Sequence, residues 1–290
     1  MLANMVTVGS LVADVGCDHG FLSIWLVQAG VSPRVLAMDV RKGPLAAARE
    51  HIEAYGLGDY IETRLSDGLK SCEAGEVETL VCAGMGGRLM ERILTESMEK
   101  VKRLKELILQ PQSELWEFRM FLRREGFEVL QEEAVCEDGK FYFAMKVCVA
   151  KKVCFTQKTV SQAVYDRDRD DKEAESAFRS EDSIASRERR VCDRFGEGLL
   201  SRNDPVLRQY LQWRRKSLAR LAQTLKSAEI PEAVDTLEAK DTLQAADILE
   251  DAAALEEGKA GAKRQRMRLQ EILMELSDVE YALKRMQQDY

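Results

Sequence analysis

The sequence holds only two histidines, His19 and His51. That is too few for a histidine-based metal cluster, and Cys17, Asp18 and His19 stand too close together to enclose an ion by themselves. A thiol catalyst is not readable either, because Cys17 and His19 lack a third group to orient the base. The seven cysteines are scattered singly with no CxxC pair, which reads as reduced thiols of a cytoplasmic protein rather than a disulfide framework. No apolar run approaches the ~18 residues of a membrane span. Met1-Leu2-Ala3-Asn4 lacks the basic start and apolar stretch of a secretory leader. Basic residues are also short: 43 Lys+Arg stand against 50 Asp+Glu, a net charge of −7, which argues against a generic polyanion binder. What remains is 290 residues, 45% hydrophobic, enough for one large or two ordinary globular domains.

The first half alternates short β-rich apolar runs with amphipathic stretches. Strands are expected at Leu11–Val15, Arg34–Val40, Ile61–Ser66, Glu78–Ala83 and Leu104–Leu109. Helices are expected at Phe21–Ala29, Pro44–Tyr55, Arg88–Ser97 and Glu114–Glu125, three of them closed by Gly30, Gly56 and Gly126. Glu128–Cys136 and Phe141–Ala150 then read as a hairpin around Asp138-Gly139. Repeated βα units ending in a hairpin predict an α/β class, a doubly wound, mostly parallel sheet with an antiparallel edge. The expected domains are 1–152, a charged linker or insertion over 153–200, and a helical domain over 201–290. In that last part Leu207, Leu211, Leu218, Leu221 and Leu225 recur at helical spacing, and Leu269, Ile272, Leu276, Val279, Leu283 and Met286 form a heptad seam. Breaks around Glu229–Pro231 and Gly258–Gly261 favour an antiparallel coiled-coil hairpin in a monomer, with a coiled-coil dimer as the alternative.

Ligands of such sheets sit at the carboxyl ends of the strands. The first β-to-α turn is Gly16-Cys17-Asp18-His19-Gly20, which is not GxGxxG. An anionic side chain there repels a pyrophosphate and suits a cofactor whose local charge is positive, as in the sulfonium and ammonium of S-adenosylmethionine. Asp39, at the end of the second strand, is placed to accept ribose hydroxyls. Asp67-Gly68 follows the third strand, where a carboxylate can accept from an adenine amine or simply make an Asp-Gly turn. Ala83-Gly84-Met85-Gly86-Gly87 follows the fourth and leaves backbone bare for cofactor and target, and Gln110-Pro111 ends the fifth beside the same crevice.

The ordered set VADVGCDHGFLSIWLV, DVRKGPLAAA, RLSDGL, TLVCAGMGG, LILQP and EDGKFY, through residues 11–145, resembles the bacterial tRNA adenine(22)-N1-methyltransferases of the TrmK type. The segment entered through Phe195-Gly196-Glu197-Gly198 resembles that family's C-terminal coiled-coil domain more loosely. The resemblance implies a Rossmann-like class I methyltransferase domain plus a helical hairpin, with S-adenosyl-L-methionine as cofactor and the D-arm region of tRNA as substrate. It places Gly16, Asp18, His19 and Gly20 at the methionine end, Asp39 at the ribose, and Asp67 with Gly68 at the adenine. Ala83, Gly84, Met85 and Gly86 then face the methyl donor and the incoming base. Asp18 and His19 are the expected catalytic residues, Asp18 for electrostatic stabilisation. The helix that family carries before the first strand is cut short here, and the charged stretch after Lys158 is longer than usual. Local basic clusters stand at Lys100–Lys105, Arg123-Arg124, Arg214-Arg215-Lys216 and Lys263–Arg268; each reads equally as the solvated face of a helix, and those on the helical tail are the expected phosphate contacts. The alternative is a class I methyltransferase acting on a small molecule or a protein.

Overall fold

The computed structural model describes residues 1–150, 184–227 and 245–288, and side chains from 185 within the second span and mostly from 261 within the third. The described chain divides into two compact units, Met1–Val206 and Leu207–Tyr290.

The first unit opens with a short helix α1 (Leu2–Met5), followed by β1 (Val12–Val15), α2 (Phe21–Gln28), β2 (Val35–Asp39), α3 (Lys42–Ala54) and β3 (Ile61–Leu65). Then come β4 (Thr79–Gly86), α4 (Gly87–Glu96), α5 (Met98–Val101), β5 (Glu106–Ser113), α6 (Leu115–Arg124), β6 (Phe127–Glu137) and β7 (Lys140–Val149). The strands form one sheet in the order β3-β2-β1-β4-β5-β7-β6. The pairs among β1 to β5 are parallel, and β7 is antiparallel to both β5 and β6. This is the doubly wound sheet with an antiparallel edge that the βα alternation and the Asp138-Gly139 turn predict.

Alternation along the strands separates two cores. Leu36, Met38, Leu80, Cys82, Leu107 and Leu109 point to one face, where α4, α5 and α6 bury Met90, Ile93, Val101, Phe118 and Leu122. Val35, Ala37, Val81 and Ile108 point to the other, where α1, α2 and α3 bury Met5, Ile24, Leu26, Leu45 and Ile52. Both faces are covered, so the central strands are apolar throughout rather than alternating with polar residues. The third helix begins two residues before Pro44, which sits in its first turn where no helical N–H is needed.

The end of the stretch expected as a charged linker is helical: α7 (Ile184–Phe195) and α8 (Glu197–Ser201) belong to the first unit. Its earlier part, from 153 to 183, lies outside the described residues. Arg119 on α6 and Glu132 on β6 form a buried ion pair at 3.0 Å, and Glu132 also accepts the Gly198 N–H at 2.9 Å. Arg123 pairs with Asp193 at 2.5 Å, and the Arg194 guanidinium lies 4.2 Å over the Trp116 ring. Val191, Phe195, Leu199 and Leu200 are buried, so the few apolar residues of this polar segment are the ones it docks with.

The second unit pairs α9 (Pro205–Ser227) with α10 (Ala245–Gln288). Contacts between Arg208 and the Met286 carbonyl, Arg214 and Glu275, and Gln265 and the Leu225 carbonyl set the helices antiparallel. Ile272, Val279, Leu283 and Met286 are buried, as the heptad seam predicts. On α9 the seam differs by one residue: Ala222 is buried and Leu221 is 42% exposed, because Leu207, Leu211, Leu218 and Ala222 share one face at helical spacing. The expected break at Gly258–Gly261 is absent, and α10 runs through it. Two glycines cost a helix about 1 kcal/mol each relative to alanine, which a long run of Ala, Leu, Glu, Lys and Arg absorbs. The other expected break, at Glu229–Pro231, lies outside the described residues.

Candidate active site

The predicted site residues collect at the carboxyl ends of β1 to β4. The turn after β1 is tied to β2: Gly16 and Cys17 both donate their N–H groups to the Met38 carbonyl, at 2.8 and 2.9 Å. Asp39 closes β2 and is buried. One of its carboxylate oxygens accepts the Asp18 N–H at 3.3 Å and the other the Arg41 N–H at 2.8 Å. Each oxygen keeps lone-pair capacity for a further donor, which is what a ribose diol requires.

Asp18 adopts φ +49, a left-handed conformation that Asp tolerates better than most residues. Its carboxylate is 57% exposed and faces the Arg41 guanidinium at 3.5 Å. His19 stands 3.8 Å from Asp18, an ion-pair separation rather than a hydrogen bond. The His19 carbonyl accepts from His51 Nδ1 at 2.9 Å, and Phe21 stacks on the His51 ring at 4.7 Å. Sequence reasoning missed Arg41 and His51 because each acts from α3 or its approach, across the loop. Gly20 packs on α3, where a side chain at position 20 would begin 3.1 Å from the Ala48 methyl.

The fourth element of the set is part of a strand rather than a loop. β4 continues through Ala83, Gly84 and Met85 to Gly86, with register shifts between Ala83 and Met85 and between Met85 and Gly86. The Met85 side chain lies against Gly16 of the first loop. A side chain at position 16 would begin 2.0 Å from Met85 Cε, the movable end of a flexible side chain, so it is the φ of +78 that favours glycine beneath this methionine. Gly84 donates its N–H to Gln110 Oε1 at 2.9 Å. Asp67, after β3, has Lys70 and Arg92 as polar partners at 2.5 and 3.2 Å, and the Lys70 hydrogen bond holds its carboxyl below the usual range. Gly68 follows it, with its carbonyl accepting from Ser66 Oγ at 2.8 Å. Any adenine amine at Asp67 would share a carboxylate with two cations.

Beneath this surface lies Asp14, which the sequence reading did not single out. It is fully buried and accepts from Ser23 Oγ at 2.6 Å. Burial pushes its carboxyl up to about 6, with the Ser23 hydrogen bond opposing and the Asp39 charge adding to the rise. A charged residue inside the apolar run Leu11–Val15 was the available signal. Burial likewise pushes the Cys17 thiol up to about 12, which removes it as a nucleophile. Among the described residues no group of three or more His, Cys, Asp or Glu has the arrangement of a metal site, and no helix is long and apolar enough to cross a membrane.

The raised Asp14 has a consequence for stability. Below about pH 4 the carboxyl is protonated in both folded and unfolded chains. Between there and about pH 6 the unfolded chain loses the proton first, so stability falls as pH rises. The full penalty, on the order of 2–3 kcal/mol, is present at neutral pH. Asp14→Asn is therefore expected to raise the melting temperature at pH 8, with the gain shrinking to nothing near pH 4. Thermal melts of both proteins across that range check it, and a gain that does not depend on pH would contradict the assignment.

The fit to S-adenosylmethionine is chemical. The exposed Asp18 carboxylate in the first turn, the buried Asp39 acceptor at the end of β2 and the glycine backbone at the end of β4 offer acceptors, and the cations beside them, Arg41, Lys70 and Arg92, face carboxylates. A family profile described as a methyltransferase domain matches residues 1–145. Over 141 residues the chain is 33% identical to the tRNA (adenine(22)-N(1))-methyltransferase of Bacillus subtilis (strain 168), covering 49% of this chain and 59% of that one. The chain thus spans about three-fifths of the length of the curated relatives it matches. Among solved structures, the B. subtilis m1A22 tRNA methyltransferase TrmK superposes with a TM-score of 0.67 at 20% identity, covering 97% of this chain and 95% of that chain. The M. capricolum TrmK structure in complex with S-adenosylhomocysteine gives 0.64 at 16% identity, covering 98% and 96%. These two likenesses concern the fold. The profile match takes in half of the chain, including every strand of the sheet up to β7, and the chain belongs to the methyltransferase-domain family.

Proposed function

We propose that the protein is an S-adenosylmethionine-dependent methyltransferase that methylates N1 of adenine 22 in the D-arm region of tRNA. The observation that carries this reading is the 33% identity over 141 residues to an enzyme of that activity, beside the match of residues 1–145, which hold the strand ends, to a methyltransferase domain. S-adenosylmethionine supplies a methyl group on a cationic sulfur. In this reading Gly16, Asp18, His19 and Gly20 line its methionine end, Asp39 holds the ribose, and Asp67 with Gly68 holds the adenine.

Adenine N1 is unprotonated near neutral pH and presents a lone pair, so no general base is needed before attack. The protein's task is to hold the base in line and to favour the positive charge that develops on its ring. Ala83, Gly84, Met85 and Gly86 form the surface against which the base lies. Asp18 contributes negative potential, partly offset by Arg41, and so acts as one electrostatic contributor among several. N1 is occupied in a paired base, so the target must be unpaired or turned out of its stack.

Helix α9 supports the RNA reading. It carries Arg208, Arg214, Arg215, Lys216, Arg220 and Lys226 and no acidic residue. Arg214 is engaged by Glu275, whereas Arg215, Lys216, Arg220 and Lys226 are exposed, as are Arg266 and Arg268 on α10. Such residues contact phosphates without reading sequence. We assign methyl transfer to the first unit and part of the tRNA grip to the second, in a cytoplasmic monomer whose seam closes within one chain.

The test is methyl transfer by the full chain from labelled S-adenosylmethionine to an unmodified tRNA transcript. Label in the RNA and a primer-extension stop at adenine 22 are expected, and both should vanish when that adenine is replaced by guanine. Cofactor binding without transfer to tRNA would overturn the substrate assignment and leave the alternative of another acceptor.

A further inference from the structure

Gln110 ends the run Leu107–Gln110 of β5, where it pairs in register with Ala83 of β4. Its side chain is buried, with 6% of the residue exposed. Oε1 accepts the Gly84 N–H, which fixes the amide's orientation, because the opposite orientation would set two donors against each other. Nε2 is then left buried, with no hydrogen-bond partner among the described residues. A buried amide donor left unmatched is destabilising, and native proteins keep few of them. This one lies against the strand end that the proposed reaction assigns to the target base.

We infer that Gln110 is a specificity residue, whose Nε2 donates to a ring-nitrogen acceptor of the target adenine. The inference rests on the adenine-N1 methylation proposed above. Of the adenine ring nitrogens, N1 is the nucleophile, which leaves N7 and N3 as acceptors. A donor on either leaves the N1 lone pair free for the methyl group. Gln110 thereby does two things with one amide: Oε1 holds the irregular end of β4 in shape, and Nε2 reads the base that end receives.

The test pairs protein variants with base analogues in full-length tRNA. Transcripts carry adenosine, 7-deazaadenosine or 3-deazaadenosine at the target position. Each deaza analogue deletes one acceptor and also changes the nucleophilicity of N1, so the comparison lies between proteins rather than between substrates. With the native enzyme, one analogue is expected to lose about tenfold in kcat/KM beyond the intrinsic change, the effect of one hydrogen bond to a buried group. Gln110→Glu keeps an acceptor for the Gly84 N–H and removes the donor, so the same analogue should cost it little further. Gln110→Met removes both functions and provides the same comparison if the buried carboxylate of Gln110→Glu prevents folding. Calorimetric binding of S-adenosylmethionine reports that each variant retains its site.

Equal losses with the analogues in native and variant proteins would overturn the inference and assign Nε2 to a buried water or to packing alone. If the native chain methylates no adenosine transcript, the functional reading fails instead, and the two failures are distinct.

Discussion

Asp39→Ala is expected to weaken S-adenosylmethionine binding by at least about 100-fold while leaving the sheet intact. The buried carboxylate serves three groups. It accepts the Asp18 N–H and the Arg41 N–H, and in the proposed complex it accepts the ribose diol. Hydrogen bonds to a charged acceptor contribute about 1.5–3 kcal/mol each, and each ~1.4 kcal/mol is a factor of ten in affinity. Losing the diol contacts accounts for about two powers of ten. Losing the backbone contacts also releases the loop that presents Asp18 and His19, which adds an ordering cost on binding. Asp39→Asn should be milder, about tenfold, because its amide keeps one acceptor but turns a donor toward a backbone N–H. Calorimetry with the cofactor, alongside circular dichroism for the fold, decides the matter. Affinity of Asp39→Ala within threefold of native would remove Asp39 from the cofactor site.

The largest stability effect is expected far from that site. Glu132→Ala should destabilise the first unit by about 3–5 kcal/mol, the usual consequence of leaving one charge of a buried pair uncompensated. Arg119 loses its carboxylate partner in a position where both side chains are almost fully buried. The Gly198 N–H loses its acceptor as well. For a unit of this size that corresponds to a fall in melting temperature of about 6–20 °C. The neighbouring backbone is shaped around the same carboxylate: a side chain at Gly196 would begin 2.5 Å from one Glu132 oxygen, at φ +92. Glu132→Gln retains shape and one acceptor and should lose less. A melting temperature for Glu132→Ala within about 2 °C of native would show that the pair is solvated and contributes little. Cofactor affinity should change little in either variant, because Glu132 lies on the edge hairpin, away from the ends of β1 and β2.

Much of the first unit was legible because its punctuation is local. Glycines closing helices, Asp-Gly in the hairpin and apolar runs of strand length need no knowledge of distant residues. The candidate site was legible in part for a related reason: in a doubly wound sheet, position in the sequence dictates position at the strand ends, so Asp39, Asp67 and Gly84 could be placed from their order. The errors were of another kind. Ala222 rather than Leu221 enters the seam because burial follows the face that α10 covers, not side-chain size. Gly258 and Gly261 remain helical because helix length outweighs two weak positions. The docking of α7 and α8 was hidden by their charge, since arginines and acids look solvated until their partners are known.

The sequence by itself determined the alternation of strands and helices through the first half of the chain and the set of residues at the strand ends, because those depend on periodicity and on neighbours a few positions away. Only the tertiary structure decided what those residues do to one another. Arg41 tempers Asp18, Lys70 and Arg92 engage Asp67, Asp14 is lifted by burial, and Gln110 spends one end of its amide on Gly84 and keeps the other. Hydrogen bonding and desolvation act over a few ångströms of space, and partners 20 or more positions apart in the chain come within that distance only once the sheet has brought the strand ends side by side.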